Sequence, residues 1–182
     1  GTQGWGQPGA QAVTAYKMSV MERVGGSYTH TDSQTPAWQG GGNLKLEAAG
    51  NGAFAVSFDA AASSGTDDAV HYLIEVFEQN GTQVMSSLGG SYENTAGEVV
   101  ELQQQSLQYV VTPSEASGGK VKVILDSLIA DNAYSVRVTP VVYLDATVKT
   151  LITDETKVLG GLPLHGEPIT SALVTLPVPK EP

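Results

Sequence analysis

Few groups in this protein are equipped for chemistry, and their spacing limits what they could do. The three histidines, His30, His71 and His165, stand far apart in sequence. None has another histidine two or four positions away, the separation that puts two metal-binding side chains on one face of a strand or helix. His71, at the start of an apolar run, reads as a solvent-facing strand residue. Ten carboxylates, from Glu47 to Glu115, fall between Lys45 and Lys120 with no Lys or Arg among them. They could form an acidic surface for a cation or a basic partner, but they lack the spacing of a calcium loop, and solvated loops and strand edges account for them more simply. The sequence has no cysteine, which excludes a disulfide framework and a cysteine-ligated zinc. It has no Gly-x-Ser-x-Gly elbow, and its serines have no recognisable histidine partner. Gly4, Gly6 and Gly9 match a dinucleotide-loop spacing, but no strand precedes them and Pro8 sits where a helix would have to start. The expectation is no catalytic set, no metal and no cofactor. The residues left for a ligand are the aromatics Trp5, Trp38, Tyr92 and Tyr143, which if exposed could stack on the rings of a carbohydrate and if buried are core or anchor packing.

The elements that would have to position such residues are mostly strands. Glycine (21) and proline (9) punctuate many Thr- and Val-rich stretches, and long amphipathic runs are few. A formal charge of −10 argues against a protein that tracks nucleic-acid phosphates. No stretch approaches the ~18 apolar residues of a membrane span. The sequence starts at Gly1 and shows no charged-then-apolar leader, so it reads as a piece of a longer protein.

Residues 1–39 read as the closing strands of a preceding domain or as an arm laid along the next one. Ala12 to Glu22 alternates like a strand, and Trp38 anchors the end before a glycine linker, Gly40-Gly41-Gly42. A sandwich spans 40–177. Its strand A carries Leu44, Leu46 and Ala48; Asn51-Gly52 is a turn; strand B carries Phe54, Val56 and Phe58. Strand C carries Tyr72, Ile74 and Val76, with Leu73 and Phe77 making its other face partly apolar. Asn80-Gly81 then turns the backbone into Val84 to Leu88; with Thr82 it is also a glycosylation sequon, though the turn alone explains both residues. Gly89 to Gly119 is an enlarged C–E connection, with strand-like runs at Val99-Val100 and Tyr109-Val110-Val111. Strand E alternates Val121, Val123 and Leu125. Leu144 to His165 is an insertion expected to form a short hairpin or flap, Glu167 to Leu176 is strand G, and 178–182 is a Pro-rich tail.

Strand F is announced by the stretch from Leu125 to Val142. Tyr134, Val136 and Val138 alternate with Ser135, Arg137 and Thr139, after a turn at Asp131-Asn132. The spacing from Leu128 to Tyr134, followed by Val-x-Val, resembles the tyrosine corner of fibronectin type III and immunoglobulin-like sandwiches. Such a corner would bury the Tyr134 ring and tie its hydroxyl to the backbone a few residues upstream. With VSF at 56–58, HYLIEVF at 71–77 and EPITSALVTL at 167–176, the resemblance covers about residues 40–177 and implies an all-β, antiparallel fibronectin type III or immunoglobulin-like sandwich with enlarged C–E and F–G connections. Phe58 stands where that family often has a tryptophan.

A narrower resemblance rests on TPAW at 35–38, NLKLEAAGNGAFAVSFDAA, LDSLIADNAYSVRVTPV and HGEPI at 165–169. These are similar to the sandwich domain that follows the catalytic domain of some bacterial calcineurin-like metallophosphoesterases. The metal-binding motifs of that catalytic domain are absent here. The resemblance implies a non-catalytic accessory or interaction domain of a larger exported protein, located outside the cell, in the periplasm or on the cell surface. Its partner would be a neighbouring domain of the same protein or another protein; the alternative is a carbohydrate-binding or adhesion module.

Overall fold

The computed structural model describes residues 35–63, 70–105, 107–112, 119–148, 150–152 and 155–179. Over these the protein is all-β, without an α-helix, and no helix is long and apolar enough to cross a membrane. Among the described residues twelve strands follow in order: β1 (Lys45–Ala48), β2 (Phe54–Asp59), β3 (His71–Glu78), β4 (Gly89–Glu93), β5 (Val99–Glu101), β6 (Gln103–Gln105), β7 (Gln108–Val111), β8 (Lys120–Asp126), β9 (Ala133–Leu144), β10 (Leu162–His165), β11 (Ile169–Thr170) and β12 (Val174–Thr175). A 3-10 segment, Glu155–Gly160, precedes β10.

The strands form two antiparallel sheets that pack on each other, one in the order β1-β2-β8-β4-β5 and the other β10-β9-β3-β7-β6, with β11 and β12 also paired to β9. Period-two alternation sets the interface. Phe54, Val56 and Phe58 from β2 and Val121, Val123 and Leu125 from β8 meet Tyr72, Ile74 and Val76 from β3 and Val136 and Val138 from β9. Each of these fully buried side chains contributes roughly 1.5–3 kcal/mol relative to exposure. At the foot of β9 the Tyr134 ring lies edge-on to Phe54, and the Ile129 amide donates to its hydroxyl at 3.1 Å. The Tyr134 side chain therefore has both halves satisfied, an apolar ring in the core and a polar tip on the backbone.

A second, smaller core lies on the far side of the second sheet. Along β9 burial alternates up to Thr139 and then becomes continuous from Pro140 to Leu144. The cause is the insertion: Ile152 and Val158 pack over Leu73, Val110, Val141 and Tyr143, and the Ile152 amide donates to the Tyr143 carbonyl at 2.7 Å. These two residues thus form a strap across one end of the sheet, and β10 returns beyond them to pair with the end of β9, as a hairpin would.

Four local features change or complete the sequence reading. The 89–119 connection builds two hairpins and sends one to each sheet, β4–β5 beside β8 and β6–β7 beside β3. Val84 to Leu88 forms no strand; after one bridge between Phe77 and Gln83 the backbone leaves, and the Leu88 amide ends on the Tyr109 hydroxyl at 2.8 Å. Strand G is two short pieces because its register against β9 steps by one residue between Ile169↔Val138 and Val174↔Tyr134. The step is held by Ser171, whose amide donates to the Val136 carbonyl at 2.9 Å and whose hydroxyl accepts from the Val136 amide at 3.0 Å. Finally, Gly40, Gly41 and Gly42 are not a loose linker. All three have positive φ (64°, 83° and 85°), and the Gly42 carbonyl accepts from the Asp59 amide at 2.7 Å.

Candidate functional site

The outward face of the second sheet gathers most of the groups with chemistry. On β3, His71, Leu73, Glu75 and Phe77 point away from the main core, because Tyr72, Ile74 and Val76 point into it. Register places Arg137 of β9 directly across from Glu75. The guanidinium Nε donates to one carboxylate oxygen at 2.8 Å, Gln108 at the start of β7 donates to the other at 3.4 Å, and the guanidinium lies over the Phe77 ring, 4.9 Å from its centre. The Glu75 side chain is only 10% exposed and that of Arg137 41%, so the pair is a buried carboxylate under a half-open cation. With both oxygens accepting, Glu75 orients Arg137 more readily than it could serve as a base.

Farther along the same strand, on the same face, is His71. Contrary to the sequence reading, it is fully buried, because the strap beside it comes from the insertion far downstream. Nδ1 and the Thr112 hydroxyl share a hydrogen bond of 2.7 Å, the Tyr143 ring meets the imidazole edge-on at 5.3 Å, and among the described residues Nε2 has no hydrogen-bond partner. Burial pushes the imidazole down to about 4 from its ordinary 6.5, against the opposing effect of the Ile152 backbone on the strap. Burial also pushes the Tyr143 hydroxyl up. A neutral imidazole is therefore the resident form.

His165 falls in the same row. Val141 pairs with His71 on one side and with His165 on the other, so two histidines that the sequence separates widely face the same way with one strand between them. Desolvation lowers the His165 pKa and the nearby Glu75 charge works the other way. The row is not a ligand set: among the described residues no group of three His, Asp or Glu is placed to hold a metal. Parity along β3 and β10 could have shown which face each histidine takes; the pairing that aligns them could not be read without the sheet order. His30 lies outside the described residues.

The aromatic candidates scatter. Trp5 lies outside the described residues. Tyr92 is 8% exposed, packed between the sheets opposite Val123, and Tyr143 is 6% exposed in the second core, so neither offers a ring face to a sugar. Trp38 is half-buried and works as an anchor. Its ring stacks on Tyr72 at 5.9 Å, meets Phe58 edge-on at 5.8 Å, and its Nε1 donates to the Glu167 carbonyl at 2.6 Å. Ala37 exchanges two backbone hydrogen bonds with Ala62, at 2.8 and 3.0 Å. A Cβ on Gly42 would stand 3.0 Å from the Trp38 ring and 2.6 Å from Ile169, so only glycine lets the backbone pass. Residues 35–42 are in this way fastened to both sheets. Nearby, Lys120 and Asn43 hydrogen-bond the Asp59 carboxylate and hold it below the usual range.

No protein-family model matches this sequence, and no curated protein matches it either.

Proposed function

We propose that this protein is a non-catalytic accessory β-sandwich of a larger exported bacterial protein, serving as a spacer and interaction module beside a neighbouring domain. The observation that carries this reading is the fastened entry at residues 35–42. A domain whose incoming backbone is clamped by Trp38 to both sheets sets the direction of whatever precedes it, which is what a spacer has to do. The groups with chemistry support the same reading, since Glu75 is engaged by Arg137 and Gln108, and His71 is buried as a neutral ring.

The fibronectin type III-like form of the proposal is supported by the Tyr134 hydroxyl bond and by a sheet order that groups the strands expected as A, B and E apart from those expected as C, F and G. Attachment to a calcineurin-like phosphoesterase rests on the sequence resemblance alone. The carbohydrate alternative draws no support from Tyr92 and Tyr143, whose rings are buried.

The test is an assay of the purified protein against a panel of phosphoesters with added divalent metal, run beside an oligosaccharide-binding array. The expected result is neither turnover nor binding. Metal-dependent turnover that survives rigorous purification overturns the proposal, and saturable glycan binding replaces it with the adhesion reading.

A further inference from the structure

Two Asn-Gly dipeptides occur in the sequence, Asn51-Gly52 and Asn80-Gly81. Both carry the same latent reaction. A glycine nitrogen, unshielded by a neighbouring side chain, can attack the amide carbonyl of the asparagine side group, provided the peptide unit between them can rotate and that side group is free to meet it.

At Asn80 neither condition holds. The Gly81 amide donates to the Glu78 carbonyl at 2.9 Å, and the Thr82 amide donates to the Asn80 Oδ1 at 2.9 Å. The Glu78 amide closes the turn on the Thr82 carbonyl at 2.8 Å. Forming the five-membered ring would break the first two of these bonds and strain the third. At Asn51 the exposed side chain makes no hydrogen bond with the described residues, and neither do the Asn51 carbonyl and the Gly52 amide that flank the rotating bond. The turn around them is nevertheless held in shape, by Ala49 donating to Ala53 at 2.9 Å and Leu128 donating to the Gly52 carbonyl at 3.0 Å. One peptide unit is left free inside a fixed frame.

We propose that Asn51 is a site of spontaneous deamidation in the folded protein, with water as co-reactant, and that Asn80 is protected by its turn. The Gly52 nitrogen gives up its proton to solvent base and forms a bond to the Asn51 Cγ. The bond between Cγ and Nδ2 breaks, and Nδ2 takes up a proton and leaves as ammonia. Water then opens the resulting cyclic imide at one carbonyl or the other, giving aspartate or isoaspartate. The net change is one water consumed and one ammonia released, with no redox step.

The product matters because of where Gly52 sits. A Cβ there would be 2.8 Å from the Leu128 carbonyl, so the turn is pressed against the loop whose next residue, Ile129, bonds the Tyr134 hydroxyl. An isoaspartyl link adds a backbone carbon and a carboxylate at that contact and loosens the Leu128–Gly52 bond.

The experiment is to age the whole protein at mildly alkaline pH, folded and in parallel unfolded in urea, and to follow both sites by peptide mass mapping with isoaspartyl methyltransferase labelling. In the folded protein Asn51 is expected to convert roughly tenfold or more faster than Asn80, since each hydrogen bond that must open at Asn80 slows it severalfold. In urea the two rates are expected to converge. Equal rates in the folded protein, a faster Asn80, or a preference for Asn51 that persists undiminished in urea overturns the proposal. Asn51→Gln, a change at an exposed side chain, is expected to remove the isoaspartate signal at that turn and leave Asn80 unchanged.

Discussion

His71 is the side chain whose surroundings are hardest to anticipate and most consequential for solution behaviour. In the unfolded protein its imidazole ionises near 6.5, but in the folded protein only near 4, because burial excludes water. The unfolded state therefore binds the extra proton between these values, and stability, fully present above the unfolded value, falls as pH drops from about 6.5 toward 4 and levels off below it. The loss is roughly 3 kcal/mol at most. His165, also depressed, adds in the same direction. Urea unfolding at a series of pH values should show this slope, and His71→Leu should flatten it. An unchanged slope in the variant would mean that the imidazole is hydrated. The alternation around His71 is legible in the sequence, with Tyr72, Ile74 and Val76 inward and His71, Leu73 and Glu75 outward. That its outward face is roofed is not, because the roof, Ile152 and Val158, belongs to a segment with no periodic pattern of its own.

Among the elements, the strands with one buried face are the legible ones. β2, β3, β8 and β9 lie where period-two runs of Val, Ile, Phe and Tyr place them, because burial on one face is a local pattern. What depends on partners is not legible. The split of strand G follows from a one-residue register step against β9. The entry segment illustrates the same limit: Trp38 reads as an anchor, yet the glycines after it are a fixed turn and not a linker. Trp38→Ala is expected to cost about 3 kcal/mol, at the low end for removing a large aromatic because the ring is only half-buried. In hydrogen exchange it should expose the Asp59 amide, which the Gly42 carbonyl now holds at 2.7 Å. A variant with wild-type stability and an Asp59 amide still protected would show that the glycine turn, not the indole, fastens the entry.

At the scale of the whole molecule, the two sheets share one main core to which β2, β3, β8 and β9 supply most of the side chains. These four strands should unfold together, with their amides exchanging only by global opening, while β1, β5 and β6 at the sheet edges exchange by local fraying. Exchange of β3 and β9 markedly ahead of β2 and β8 would instead make each sheet a separate cooperative unit. Candidate ligand residues are the least legible feature at this scale, since exposure of an aromatic is decided by how the sheets close over it; Tyr92 and Tyr143 are core for that reason.

The step at Ser171 also governs how the protein meets its own copies in a crowded solution. An uninterrupted final strand would present a long row of unpaired backbone groups onto which another molecule could polymerise. Here that border of the sheet is cut into pieces of four, two and two residues, with Gly166 and Pro168 in the first gap and the Ser171 offset in the second. No piece is long enough to template a cross-molecular ladder, so the same residue that shifts the register also guards the molecule against runaway association.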